Sequence, residues 1–180
     1  ITYSKGRIKM KRSKKITAIL LTAFVVLSMS ACSGKTVEET PENTTSADVQ
    51  VASPDVSAIG DSAKKLYVGI DMIEITSDKM NFYFSELDMS KVESFYAVKA
   101  QDGYTDHFVI VKLNDNAYSS QVSDIFKAYA ADLSETYADY APIEADRAAK
   151  AQISVVGDNY VVLIISEDNS AVLSSVKSFF

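Results

Sequence analysis

Two short runs, HFVIVKL at residues 107–113 and YVVLIIS at 160–166, are apolar at nearly consecutive positions. A strand with one wet face alternates apolar and polar residues, whereas a strand covered on both faces does not. The two runs therefore predict central strands of one sheet, with cover on either side. Any fold open to this chain must supply that cover.

The flanking segments supply it in a repeating order. VESFYAVKA (92–100) leads into HFVIVKL through QDGYTD, whose Asp-Gly pair is a turn signal, and AQISVVG leads into YVVLIIS through Gly157, Asp158 and Asn159. A helix is predicted from about 118 to 140, since Tyr118, Val122, Ile125, Tyr129, Leu133, Thr136 and Tyr140 fall within about 80° of one another on a helical wheel. Pro142 stops it, and APIEADRAAK (141–150) joins the halves. After the second hairpin, EDNS offers caps to a last helix with Val172, Leu173, Val176, Phe179 and Phe180 on one face. The order β-β-α-β-β-α and the tendency of consecutive strands to pair predict an α+β domain with a four-stranded, mainly antiparallel sheet. Its two long helices would share one face.

An N-terminal helical segment would cover part of the other. Ser53 as cap and Pro54 in the first turn open a helix bearing Val56, Ile59, Ala63, Leu66 and Tyr67, with Gly60 weakening it. GIDMIEI (69–75) reads either way. Ser77 caps a short helix with Met80, Phe84 and Leu87 on one face.

Before the domain the chain changes character. MKRSKK (10–15) precedes an apolar run from Ile16 to Ala31, and no acidic residue occurs in the first 31 positions. A basic stretch, a short apolar core and small residues at a junction make a secretory signal, expected here over 10–31, with 1–9 an upstream extension ahead of Met10. The run is short for a membrane span, which needs about 20 apolar residues. The single cysteine, Cys32, stands at the junction. MSAC (29–32) resembles the lipobox of bacterial lipoproteins, which implies cleavage between Ala31 and Cys32 and a diacylglycerol on the Cys32 thiol. Two acyl chains hold a protein to a bilayer where one does so only marginally. With Cys32 so used, no cysteine is left for a disulfide, a thiolate metal site or a nucleophile.

All 24 acidic residues lie after position 31, against eleven of the 18 basic ones, a net charge of −13 for the remainder. Such a surface repels nucleic acid, so none is expected as a partner. The stretch 33–53, rich in Thr, Ser and Glu, buries too little to offset its ordering entropy and is expected, with Cys32, to be a disordered tether to a single domain over 54–180.

FYFSELDMSKVESFYAVKA (82–100) and the closing GDNYVVLIISEDNSAVLSSVKSFF (157–180) resemble a family of small lipoproteins from Gram-positive, clostridia-like bacteria defined by domain of unknown function 4358. The resemblance implies a surface lipoprotein of unassigned activity and carries no site residues with it.

Candidate chemistry is sparse. His107, the only histidine, stands beside Asp106, but a general base needs an oriented nucleophile and no Gly-x-Ser-x-Gly elbow is present. It is expected to be a solvated strand-edge residue. Asn114, Asp115 and Asn116, and Glu167, Asp168 and Asn169, do not match a calcium loop and are expected to cap turns and helices. Tyr118, Tyr129 and Tyr140 are expected in the core, and Tyr104 in the hairpin loop as an exposed contact residue. No catalytic, cofactor or metal site is assigned. The expected role is a binding or interaction module, without catalysis, held at the outer face of the membrane by the Cys32 acyl chains and docking an envelope protein. The alternatives are a small solute-binding lipoprotein serving a transporter and a cell-wall hydrolase.

Overall fold

The computed structural model describes residues 53–101 and 103–180. The expected extension, signal, lipidated Cys32 and tether, apart from Ser53, lie outside them. Both hydrophobic cores are drawn wholly from the compact unit Val49–Phe180, which has what a domain needs to fold alone.

The centre of the fold is a pair of antiparallel strands, β3 (His107–Leu113) and β5 (Tyr160–Ile165), running from His107 opposite Ile165 to Lys112 opposite Tyr160. Every residue of β5 is buried, and so is every residue of β3 except Lys112. Alternation sends Phe108, Ile110, Tyr160, Val162 and Ile164 to one core, and Val109, Val111, Leu113, Val161, Leu163 and Ile165 to the other. Burying each large side chain contributes about 1.5–3 kcal/mol, so the two apolar runs supply much of the driving force for both layers.

On the first face lie α1 (Val56–Lys64) and α5 (Asn169–Lys177), which meet at Ser62 and Ser175, whose hydroxyl oxygens are 3.0 Å apart. On the second lie α2 (Ser77–Tyr83) and α3 (Ser119–Tyr137). The expectation that the two long helices share a face is corrected: α3 and α5 lie on opposite faces. With both sides of β3 and β5 apolar, covering one side twice would leave the other wet.

The sheet has five strands, not four, in the order β1-β2-β3-β5-β4. The added strand is β1 (Met72–Glu74), from the ambiguous GIDMIEI, paired antiparallel with β2 (Val92–Ala100). Sequential pairing fails once: β5 lies between β3 and β4 (Gln152–Val156) instead of following β4 outward. Composition explains this, since β5 has no residue fit for an edge while β4 carries Gln152 and Ser154.

The joining segment APIEADRAAK is also a helix, α4 (Pro142–Ala149), with Pro142 at its first turn. The predicted helix over 118–140 thus ends at Tyr137, and Pro142, whose missing N–H is harmless in a first turn, begins a second. Asp55, not Ser53, caps α1 through the Ser57 N–H at 3.1 Å. Gly60, which weakened the prediction of α1, has a packing reason: a Cβ there would fall 2.2 Å from Cγ of Tyr96.

Candidate functional site

The loop that enters β3 buries three polar residues in succession, Thr105, Asp106 and His107, at 0, 3 and 3 % exposure. Such burial requires partners. The Thr105 N–H donates to Oε2 of Glu144 at 2.8 Å, and its hydroxyl lies 3.0 Å from both the carbonyl and Oε2 of Glu144. Glu144 sits in the first turn of α4, where its negative charge suits the helix dipole.

One turn later Arg147 closes the cluster. Its Nη1 donates to both carboxylate oxygens of Glu144 at 2.7 Å and to Oδ2 of Asp106 at 2.9 Å. Burial pushes the Asp106 carboxyl above the usual range, and Arg147 holds it down only in part. Nε and Nη2 of Arg147 make no bond to the described residues, and no buried side-chain nitrogen or oxygen among those residues lacks a partner. These two donors are therefore open to solvent.

His107 lies on the inner side. Its Nδ1 is 2.9 Å from the Thr105 carbonyl, which can only accept, so Nδ1 carries the proton and Nε2 accepts from the Tyr129 hydroxyl at 2.8 Å. The Tyr67 hydroxyl donates to the His107 carbonyl at 2.8 Å. Burial pushes the imidazole down to about 4, outweighing the Thr105 bond, so the ring is neutral near pH 7. Burial first, and then the Asp106 charge, raise the Tyr67 hydroxyl well above its ordinary value.

The cluster floors a cleft of about 520 Å³ at this end of the sheet, within the range of small-molecule sites. Leu66, Val68 and Ile70 form an apolar wall, Asp106 and Arg147 the polar floor, and Glu167 and Asp168 the far rim. Val68 is 87 % exposed, which is unusual for a valine. Asp106 and Glu144 hold the one guanidinium, and the carboxylates of Glu167 and Asp168 line the same cleft. An anion is disfavoured there, while a cationic or neutral polar group is not.

A family model described as a domain of unknown function, DUF4358, matches residues 65–166, more than half of the chain. The chain belongs to this family. The DUF4358 span contains every member of the buried cluster, Tyr67, Thr105, Asp106, His107, Tyr129, Glu144 and Arg147, while α1 and α5 lie outside it. No curated protein and no solved structure matches the chain.

His107 is a correction: expected to be solvated at a strand edge, it is buried at the start of the central strand, sealed by Tyr67, Tyr129 and the preceding loop. Asp115 and Asp168 do cap, accepting from the N–H groups of Ala117 and Ala171 at 2.9 Å, and Asn169 accepts from the Ser166 N–H. Tyr118 is buried and its hydroxyl accepts from the Asp88 N–H at 2.9 Å. Tyr129 is partly buried, but Tyr140, expected in the core, is 66 % exposed because α3 stops before it. Tyr104 is exposed as expected. Glu144 and Arg147 were missed. Their three-residue spacing just after Pro142 signals a short helix with both side chains on one face. Cys32 and Ala31 lie outside the described residues. Among the described residues no group of three or more His, Cys, Asp or Glu side chains is placed to hold a metal ion, and no helix is long and apolar enough to cross a membrane.

Proposed function

We propose that this protein is an extracytoplasmic lipoprotein, tethered to the membrane through acyl chains on Cys32, whose DUF4358 domain is a binding module without catalysis. The sheet-end cleft is its ligand-facing surface. The observation that carries this reading is the state of Arg147: one nitrogen is fixed by two buried carboxylates, and the other two donors have no partner among the described residues. A guanidinium held rigid with donors to spare is preorganised for an acceptor.

Nearby groups suited to nucleophilic chemistry are already engaged, which supports binding over catalysis. The Ser166 hydroxyl donates to Asn169, the Thr105 hydroxyl lies against Glu144, and His107 faces Tyr129 instead of the cleft. The apolar wall and surplus negative charge fit a ligand with an aliphatic part beside a cationic or neutral polar group. The small-solute reading draws support from the cleft volume, while docking of an envelope protein draws it from exposed Leu66 and Val68.

Thermal-shift screening of Val49–Phe180 with amines, sugars, amino acids and short peptides tests the cleft. A ligand at 100 times its dissociation constant adds about 2.7 kcal/mol. A shift lost in Glu167→Arg, which adds repulsion to cations at the rim, supports the reading; no shift from the whole panel and no partner crosslinked in native membranes contradict it. Labelling of the full chain with a palmitate analogue in a bacterial host, lost in Cys32→Ala, tests the anchor separately.

A further inference from the structure

The two edges of the sheet are unlike. β1 is three residues long and flanked by Asp71 with Glu74 at its end, a short charged edge of the kind that discourages strand addition. β4 is five residues, QISVV, with no charge, no proline and no irregularity in its register with β5. Among the described residues no second strand pairs with its outward side.

The ladder shows which groups lie there. The Leu113 N–H donates to the Asn159 carbonyl at 2.8 Å, so the Asn159 backbone faces β3. Alternation turns Tyr160, Val162 and Ile164 toward β4, and their partners Val156, Ser154 and Gln152 are thereby committed to β5. The N–H and C=O groups of Ile153 and Val155 point outward, and β5 is the only strand paired with β4 among the described residues. Val155 is 49 % exposed, and beside Ile153 runs an open groove of about 470 Å³ lined largely by alanines, among them Ala131, Ala149 and Ala151.

We infer that this edge binds a second copy of the chain, β4 against β4, antiparallel about a two-fold axis at Ser154. Within Gln152–Val156, that register alone pairs both outward residues of each copy. Ile153 stands opposite Val155 of the second copy and Val155 opposite its Ile153, each pair exchanging both N–H···O bonds from the groups left outward, while the two Ser154 residues form the non-bonded pair between them. Antiparallel pairing also brings the end of β4 next to Lys150 alongside the end of the second copy's β4 next to Asp158. Asp158 has no hydrogen-bond or ion partner among the described residues, and Lys150, whose ion pair with Asp146 is largely exposed, has charge to offer. Two copies of an acidic chain thus meet along a neutral strand with opposite charges at its ends, joining two five-stranded sheets into one. Five residues of edge bury less than a standard interface, so the dimer is weak and concentration-dependent.

The test is sedimentation equilibrium of Val49–Phe180 across about 10 µM to 1 mM, where small interfaces associate. Reversible dimerisation is expected, weakened at least tenfold by Val155→Pro, which removes an outward N–H that β5 does not use. If that variant does not fold, Val155→Lys serves as the charged-edge counterpart. Cysteine crosslinking reads the register: Ser154→Cys is expected to form a disulfide dimer in air, because non-bonded antiparallel partners have Cα atoms about 4.5 Å apart, within disulfide reach. Gln152→Cys, offset from its own copy by four positions, is expected not to. A monomer throughout the range, or equal crosslinking of the two cysteine variants, overturns the inference, and the first result would leave the edge to an extended segment of another protein.

Discussion

The Tyr129 hydroxyl lies 2.8 Å from Nε2 of His107, joining the midpoint of α3 to the first residue of the central strand. With Nδ1 donating to the Thr105 carbonyl, Nε2 of the neutral ring accepts from this hydroxyl; a protonated ring would have to turn the hydroxyl into an acceptor and hold its charge in a buried site, and burial is what disfavours it. The pair therefore makes acid a specific threat to this fold.

The sign follows from the direction of the shift. His107 titrates at about 4 when folded against 6.5 when free, so between those values the unfolded chain binds more protons. Its contribution is fully present above pH 6.5 and is lost as pH falls toward 4, by about 3 kcal/mol at most. Asp106, raised when folded, acts in the opposite direction at lower pH. Urea melts of the domain at pH 7 and pH 5 are expected to show the loss, and a His107→Leu variant to have a flatter profile across that window.

Tyr129→Phe is expected to cost about 1–3 kcal/mol at pH 7, since it strands the Nε2 lone pair in the interior. The same urea melts measure it.

Removing Arg147 leaves two nearly buried carboxylates facing each other. Arg147→Met is expected to destabilise the domain by about 3–5 kcal/mol, the range for breaking a buried ion pair from one side. The triple variant Arg147→Met, Asp106→Asn, Glu144→Gln should recover part of that loss. A single variant as stable as the parent would mean that the cluster is not held by charge.

Gly60→Ala forces its methyl into the Tyr96 ring and is expected to cost about 1–3 kcal/mol. Tyr96→Leu should relieve it, giving a coupling energy in a double-mutant cycle. Additive effects would mean that the helix moves aside freely.

How far the sequence discloses this molecule depends on the range of the forces involved. β3 and β5 are legible because their burial on both sides is written in consecutive residues. Met80, Phe84 and Leu87 are buried in one core as their spacing suggests, but the helix begins after Thr76, not with Ser77 as its cap, and stops at Tyr83, so of the three only Met80 lies on it. The strand order is less legible: that β5 inserts between β3 and β4 depends on comparing the polarity of two strands, not on either alone. α4 was hidden by reading Pro142 only as a stop. The polar cluster was least legible, since His107 acquires its character from Tyr67 and Tyr129, forty and twenty-two positions away, and no local pattern encodes that meeting.

The central claim is that the cleft floored by Asp106 and Arg147 is where this domain meets its ligand. The most direct measurement is a ¹⁵N–¹H correlation spectrum of Val49–Phe180, titrated with whichever compound of the screen raises the melting temperature. The predicted result is a set of shifted amides confined to residues 66–70, 105–107, 147 and 166–168, with a new or sharpened Arg147 Nε–H signal. Shifts confined instead to the alanine-lined groove, with the Arg147 signal unchanged, would contradict it.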